Sequence, residues 1–145
     1  MLFKEKARYY NGYRKVYLFR FEDKETGQFV ALKPGHTDYM DAEDRARVNH
    51  EKFLEGKEPD SFLNHYKVKC IWSLRVDSHD KADMLEDFML AWFGEQKKLD
   101  FKTSGYTEVR NYNQKKVNMW KSKNVNKIQN WLNEEIHAYR SSLQT

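Results

Sequence analysis

The chain has one cysteine, two prolines and no apolar run long enough to cross a bilayer. Cys70 has no partner for an internal disulfide, and a single cysteine points to a reducing, cytoplasmic setting. It lies in an apolar, strand-like run, where a buried thiol is expected rather than a nucleophile. One cysteine and five scattered histidines give no zinc spacing. A glycine-rich nucleotide loop and a hydrolase elbow are both missing. The start, Met1-Leu2-Phe3-Lys4-Glu5-Lys6, has no apolar stretch behind it, so no secretion signal is expected. No internal repeat or low-complexity segment is found.

What is present is a chain of 145 residues, 39% apolar and 15% aromatic, which excludes disorder and fits one domain with its own core. It is also 33% charged with a mean hydropathy of −0.99, which excludes a membrane span. The net charge of +4 is unevenly spread. Between Gln96 and Lys127 there are nine Lys or Arg against two carboxylates; between Asp77 and Glu95 there are six carboxylates against one Lys. That asymmetry suits a polyanion-binding surface beside an acidic, metal-binding region, although charge alone favours a pair of solvated faces.

Arg14 to Glu22 reads as a strand, with Tyr17, Phe19 and Phe21 alternating against Val16, Leu18 and Arg20. Asp23 to Gly27 reads as a turn and Phe29 to Lys33 as an antiparallel return strand. Asp41 to Leu54 reads as a helix with Asp41 as N-cap, Gly56 as stop, and a stripe of Ala42, Ala46 and Phe53. Lys57 to Asn64 reads as a loop. Lys67 to Val76 is a third strand, with Val68, Cys70, Trp72 and Leu74 on one face. Ser78 is expected to cap a helix ending near Gly94, carrying Ala82, Leu85, Phe88, Met89 and Trp92 at helical spacing. A loop or short strand through Gly105 precedes one last helix, from about Lys115 to Leu143, carrying Ile128, Trp131, Leu132, Ile136 and Tyr139. The expected class is α+β: a small central antiparallel sheet of about three strands flanked by helices.

Several motifs fall on these elements in order. Lys33-Pro34-Gly35-His36-Thr37 ends the second strand, and Asp41-Ala42-Glu43-Asp44-Arg45 opens the first helix. Ala82-Asp83-Met84-Leu85-Glu86 lies on the next helix, and Gly105-Tyr106-Thr107-Glu108 closes the series. Over roughly Arg14 to Tyr112 the order resembles the GIY-YIG nuclease domain, in a diverged branch with Lys-x-Gly replacing the Tyr-Ile-Gly motif. The first motif here is Val16-Tyr17-Leu18, without Gly, and Pro34 stands where an aliphatic residue is usual. On this resemblance residues 1–114 form the nuclease-like domain, and residues 115–145 a basic helical extension packed on it.

The resemblance implies a divalent-metal-dependent endonuclease that hydrolyses phosphodiester bonds, in DNA ahead of RNA. Such hydrolysis needs an activated water, charge neutralisation at phosphate and a stabilised leaving oxygen. Glu86 is the implied ligand of one Mg²⁺ or Mn²⁺, an ion that keeps several waters. Its bland alternative is a boundary carboxylate on an amphipathic helix. Arg45 is the implied phosphate-binding cation, with Arg47 the fallback if the register is shifted. Tyr17 is implied in activating water, aided by Lys33 or Arg45; a core aromatic is its alternative. Lys33 also suits phosphate. His50 reads as a proton shuttle or a surface helix histidine. Gly35 reads as a turn residue or a point of close backbone approach, and Glu108 and Asn113 as orienting groups.

Tyr106, Tyr112 and Trp120 are interleaved with Lys115, Lys116, Lys121, Lys123 and Lys127, a pattern suited to a nucleic-acid backbone. Trp120 itself reads as core, leaving the lysines as the substrate-binding element. The altered first motif keeps a second reading open, a catalytically inactive nucleic-acid-binding module on the same fold. A protein-interaction domain is the third. No membrane partner is expected, and a homodimer is one way for so short a chain to gain selectivity.

Overall fold

In the computed structural model, which describes residues 3–143, the strand alternation of the first segment builds the centre of the sheet. β1 (Arg14–Asp23) is covered on both faces. Val16 and Leu18 point into one core, and Tyr17, Phe19 and Phe21 into the other. The turn that follows is fixed locally, because the Asp23 carboxylate accepts the amide N–H groups of Glu25 and Thr26 at 2.8 and 2.9 Å.

β2 (Phe29–Thr37) returns antiparallel and runs four residues beyond the expected end at Lys33. It therefore includes Pro34, which lies past the point where the next strand stops pairing. β3 (Tyr66–Val76) pairs with the other side of β1. A fourth strand, β4 (Arg110–Asn111), joins β2 at Ala31 and Leu32, giving the order β3-β1-β2-β4. The sheet thus has four strands rather than three. A two-residue strand has no periodicity to read, and it falls after Gly105 rather than through it.

The single-face expectation for β3 also needs correction. A bulge opposite Leu18 and Phe19 adds Ile71 to the strand. Val68 and Cys70 consequently join the Phe19 side, while Trp72, Leu74 and Val76 join the Leu18 side. The Cys70 thiol is half-buried, donates to the Trp72 carbonyl at 3.3 Å, and is raised by burial, as an inert thiol would be.

The remaining elements are helical. α1 (Phe3–Lys6) opens the described chain, and α2 (Glu43–Leu54) begins two residues after Asp41. Ala42 occupies the cap position, while the Asp41 carboxylate still accepts the Glu43 N–H at 3.0 Å. Ala42, Ala46 and Val48 are buried, and Phe53 is only partly so. A short α3 (Phe62–His65) replaces the end of the expected loop, capped by Ser61. α4 (His79–Phe93) is capped by Ser78, whose hydroxyl accepts the Lys81 N–H. It buries Ala82, Leu85, Met89 and Phe93, whereas Phe88 is 41% exposed.

The expected last helix is two: α5 (Gln114–Lys121) and α6 (Val125–Leu143). The Asn113 and Asn124 side chains cap them, and Asn124 accepts the N–H groups of Asn126 and Lys127. Leu132 and Ile136 are buried on α6, but Tyr139 is 57% exposed.

The sheet separates two cores. Ala42, Ala46 and Phe62 cover the Tyr17-Phe19-Phe21 face; α4, α5 and α6 cover the Val16-Leu18 face. Val117, Trp120 and Leu132 lie in one cluster with Val16, Leu18 and Leu32. Each such buried side chain contributes roughly 1.5–3 kcal/mol, so residues beyond 114 complete the core rather than decorate it. No described helix is long and apolar enough to cross a membrane.

Candidate functional site

Pairing of β1 with β2 sets Tyr17 opposite Gly35 and Phe19 opposite Lys33. The Tyr17 ring lies across Gly35. A Cβ there would overlap the phenol, with Cε1 2.8 Å away and the hydroxyl oxygen nearer still. Gly35 is therefore required by a side chain, not by a turn: it lies inside β2 and has no positive φ. The phenol is buried at its ring and stacks on Phe19 at 4.0 Å between centroids. Its hydroxyl reaches a cleft of about 370 Å³.

Lys33 enters the same cleft from β2. Its ammonium faces the Tyr17 hydroxyl at 3.5 Å and the Glu108 carboxylate at 3.0 Å. Burial pulls this lysine down, but its interactions with Tyr17 and the Glu108 carboxylate outweigh that and hold it above the ordinary lysine range. Gly105 makes the reach feasible. It takes a positive φ of 85°, and a Cβ on it would meet Lys33 Cε at 2.7 Å. The loop carrying Glu108 thus closes over Lys33.

α4 brings Glu86 into the same cleft, in hydrogen-bond contact with Glu108. Burial, then the Glu108 charge, raise the Glu86 carboxyl to about 8, with Lys33 opposing. The donor set suits one hard divalent ion, since Glu86 opens onto a cleft roomy enough for the ion's own waters. The carboxyl must lose its proton to serve as a ligand.

The two arginines of α2 separate cleanly. Arg45 lines the cleft and donates to Asn49 at 2.9 Å. Arg47 turns outward and pairs with Asp44 at 2.8 Å and Asp41 at 3.5 Å. His50 does not line the cleft: its Nδ1 bonds the Ser61 hydroxyl at 2.8 Å, beside the start of α3. Asn113 likewise caps α5 instead of orienting the site. Lys115, Lys121 and Lys123 are exposed, and Lys116 donates to the Trp92 carbonyl. None of the four lines the cleft.

Sequence reasoning missed Arg14, His36 and Tyr39, which also line it. Arg14 Nε donates to His36 Nδ1 at 2.8 Å, which assigns the imidazole proton to Nε2. That nitrogen donates to Asp83 at 2.7 Å and sits 3.4 Å from Glu86. Burial lowers the His36 imidazole; the Asp83 hydrogen bond opposes this, and the net position is below the ordinary histidine range. Burial and contact with Tyr9 push Tyr39 up to about 12, so it offers a proton donor and not a base. His36 was legible as a member of the Lys33–Thr37 motif, but its partners depend on the fold.

Searches against known protein families, curated proteins and solved structures return no match to this chain.

Proposed function

We propose that the protein is a divalent-metal-dependent endonuclease of the GIY-YIG type, hydrolysing phosphodiester bonds of DNA. The observation that carries this reading is the convergence of Tyr17, Lys33, Arg45 and Glu86, from two strands and two helices apart in sequence, on one polar cleft. Mg²⁺ or Mn²⁺ held by Glu86 would neutralise charge on the phosphate and the leaving oxygen.

The chain's own residues supply the rest. Arg45 presents a planar fork of donors and can exchange its Asn49 contact for phosphate oxygens. Lys33, paired with the Glu108 carboxylate, adds a second positive charge at the same place. Tyr17 is held rigidly by Gly35 and Phe19, with its oxygen facing Lys33 and the cleft, positioned to orient an attacking water. Glu108 accepts from Lys33 and contacts Glu86, so it couples the cation to the metal-binding carboxyl. The lysines of α5 and its C-terminal loop extend the binding surface along the nucleic-acid backbone. A second copy of the chain would supply the selectivity that so small a cleft lacks.

The test incubates the protein with plasmid, single-stranded DNA and RNA, in Mg²⁺ or EDTA, beside Glu86→Ala of verified fold. The expected result is Mg²⁺-dependent nicking that falls by about 100-fold or more in the variant. Salt-sensitive binding without cleavage would leave the inactive binding module in its place.

A further inference from the structure

At the mouth of the cleft two histidines distant in sequence meet over one carboxylate. His79 and Asp83 stand one turn apart at the start of α4, with His79 Nδ1 3.0 Å from Asp83 Oδ2. His36 reaches across from the end of β2, its Nε2 2.7 Å from Asp83 Oδ1. The two imidazoles form a T-shaped pair, with centroids 5.0 Å apart and planes at 89°. One ligand atom from each of the three residues lies within 4.8 Å of the others, among the described residues.

We propose that His36, His79 and Asp83 bind a divalent transition-metal ion of the Zn²⁺ class, at the edge of the cleft where Glu86 also stands 3.4 Å from His36 Nε2. Ion-to-ligand distances of about 2.0–2.2 Å place tetrahedral ligand atoms about 3.3 Å apart. The three atoms, within 4.8 Å of one another here, would have to draw together to reach that spacing. Two imidazoles and one carboxylate favour Zn²⁺, Co²⁺ or Ni²⁺ over Mg²⁺ and Ca²⁺, which prefer oxygen. His79 and Asp83 are 62% and 51% exposed, which leaves the remaining coordination positions to water.

Arg14 acts against this ion. Its Nε donates to His36 Nδ1, holding the ring proton on Nε2, the nitrogen that would ligate. Ligation moves that proton to Nδ1, which Arg14 then faces with the wrong polarity. Removing the guanidinium therefore tightens binding, most clearly in Arg14→Gln, whose amide oxygen can accept the Nδ1 proton. Without an ion, Asp83 simply accepts from both rings, and no metal dependence follows. Bound metal would fasten the end of β2 to the first turn of α4, the helix that carries Glu86. None of this depends on nuclease activity.

The experiment titrates ZnCl₂ into the full chain without nucleic acid or Mg²⁺, by calorimetry and thermal melting, with Co²⁺ absorption as a spectroscopic check. Wild type is expected to take up one equivalent and to melt higher with Zn²⁺. His79→Ala, at an exposed helix start, and the conservative Asp83→Asn each weaken binding by about tenfold or more, while Arg14→Gln strengthens it. Glu86→Gln, which alters a neighbour of His36 outside the three-residue group, weakens binding by less than either ligand variant. Binding by wild type no tighter than by His79→Ala, or unchanged binding in both ligand variants, overturns the site. A loss in Glu86→Gln as large as that in His79→Ala would make Glu86 a ligand and overturn the three-residue assignment.

Discussion

At neutral pH the Glu86 carboxyl keeps its proton, because burial and the neighbouring Glu108 charge lift it from 4.5 to about 8. The folded chain then binds this proton more tightly than the unfolded chain does. Its contribution to stability is complete below about pH 4.5 and is lost as pH rises through about 8. Glu86→Gln removes the titration. In EDTA, wild type should lose on the order of 1–3 kcal/mol relative to this variant between about pH 5 and about pH 9, measured by urea melts. Parallel pH profiles would show that Glu86 titrates normally. The residues of the cleft were individually legible: Tyr17, Lys33, Arg45 and Glu86 sit in motifs that the sequence displays. What linked them was not. Gly35 is present because Tyr17 lies across it, and that fact depends on the β1–β2 register. His36 and His79 carry no spacing signal at all, since a strand end and a helix start bring them together.

Elements with strong periodicity were readable, and their interruptions were not. β1, α4 and the hairpin turn follow directly from alternation, helical spacing and an Asp/Gly turn. The bulge at Ile71 leaves no mark in a run of alternating residues, yet it sends the two halves of β3 into different cores. The split between α5 and α6 was hidden because helical spacing continues across Ser122-Lys123-Asn124. Here Asn124 wins locally: its side chain satisfies two N–H groups at the start of α6. Asn124→Ala should therefore destabilise the chain by about 1 kcal/mol, seen as a lower denaturant midpoint. An unchanged midpoint would mean that core contacts of Leu132 and Ile136 alone hold α6 in place.

For the molecule as a whole, charge and chemistry are set apart. The cleft is built from β1, β2, α2, α4 and the Gly105 loop, while Lys115, Lys121 and Lys123 stand exposed on or just beyond α5. Replacing these three with Ala should weaken duplex binding and flatten the dependence of log K on log salt by about 2–3, with cleavage at saturating DNA retained. A slope equal to wild type would place the binding surface elsewhere. The uneven charge was plain in the sequence, but its separation from the cleft was not, because α5 packs through Val117 and Trp120 on the far face of the sheet. The claim that this cleft performs phosphodiester cleavage is tested most directly by comparing Arg45→Ala with Arg47→Ala in a Mg²⁺-dependent plasmid-nicking assay. The two arginines share one helix and differ in where they point. Arg45→Ala should lower the rate by about 100-fold or more, and Arg47→Ala by less than about threefold. Equal losses in the two variants, or full activity in Arg45→Ala, would contradict it.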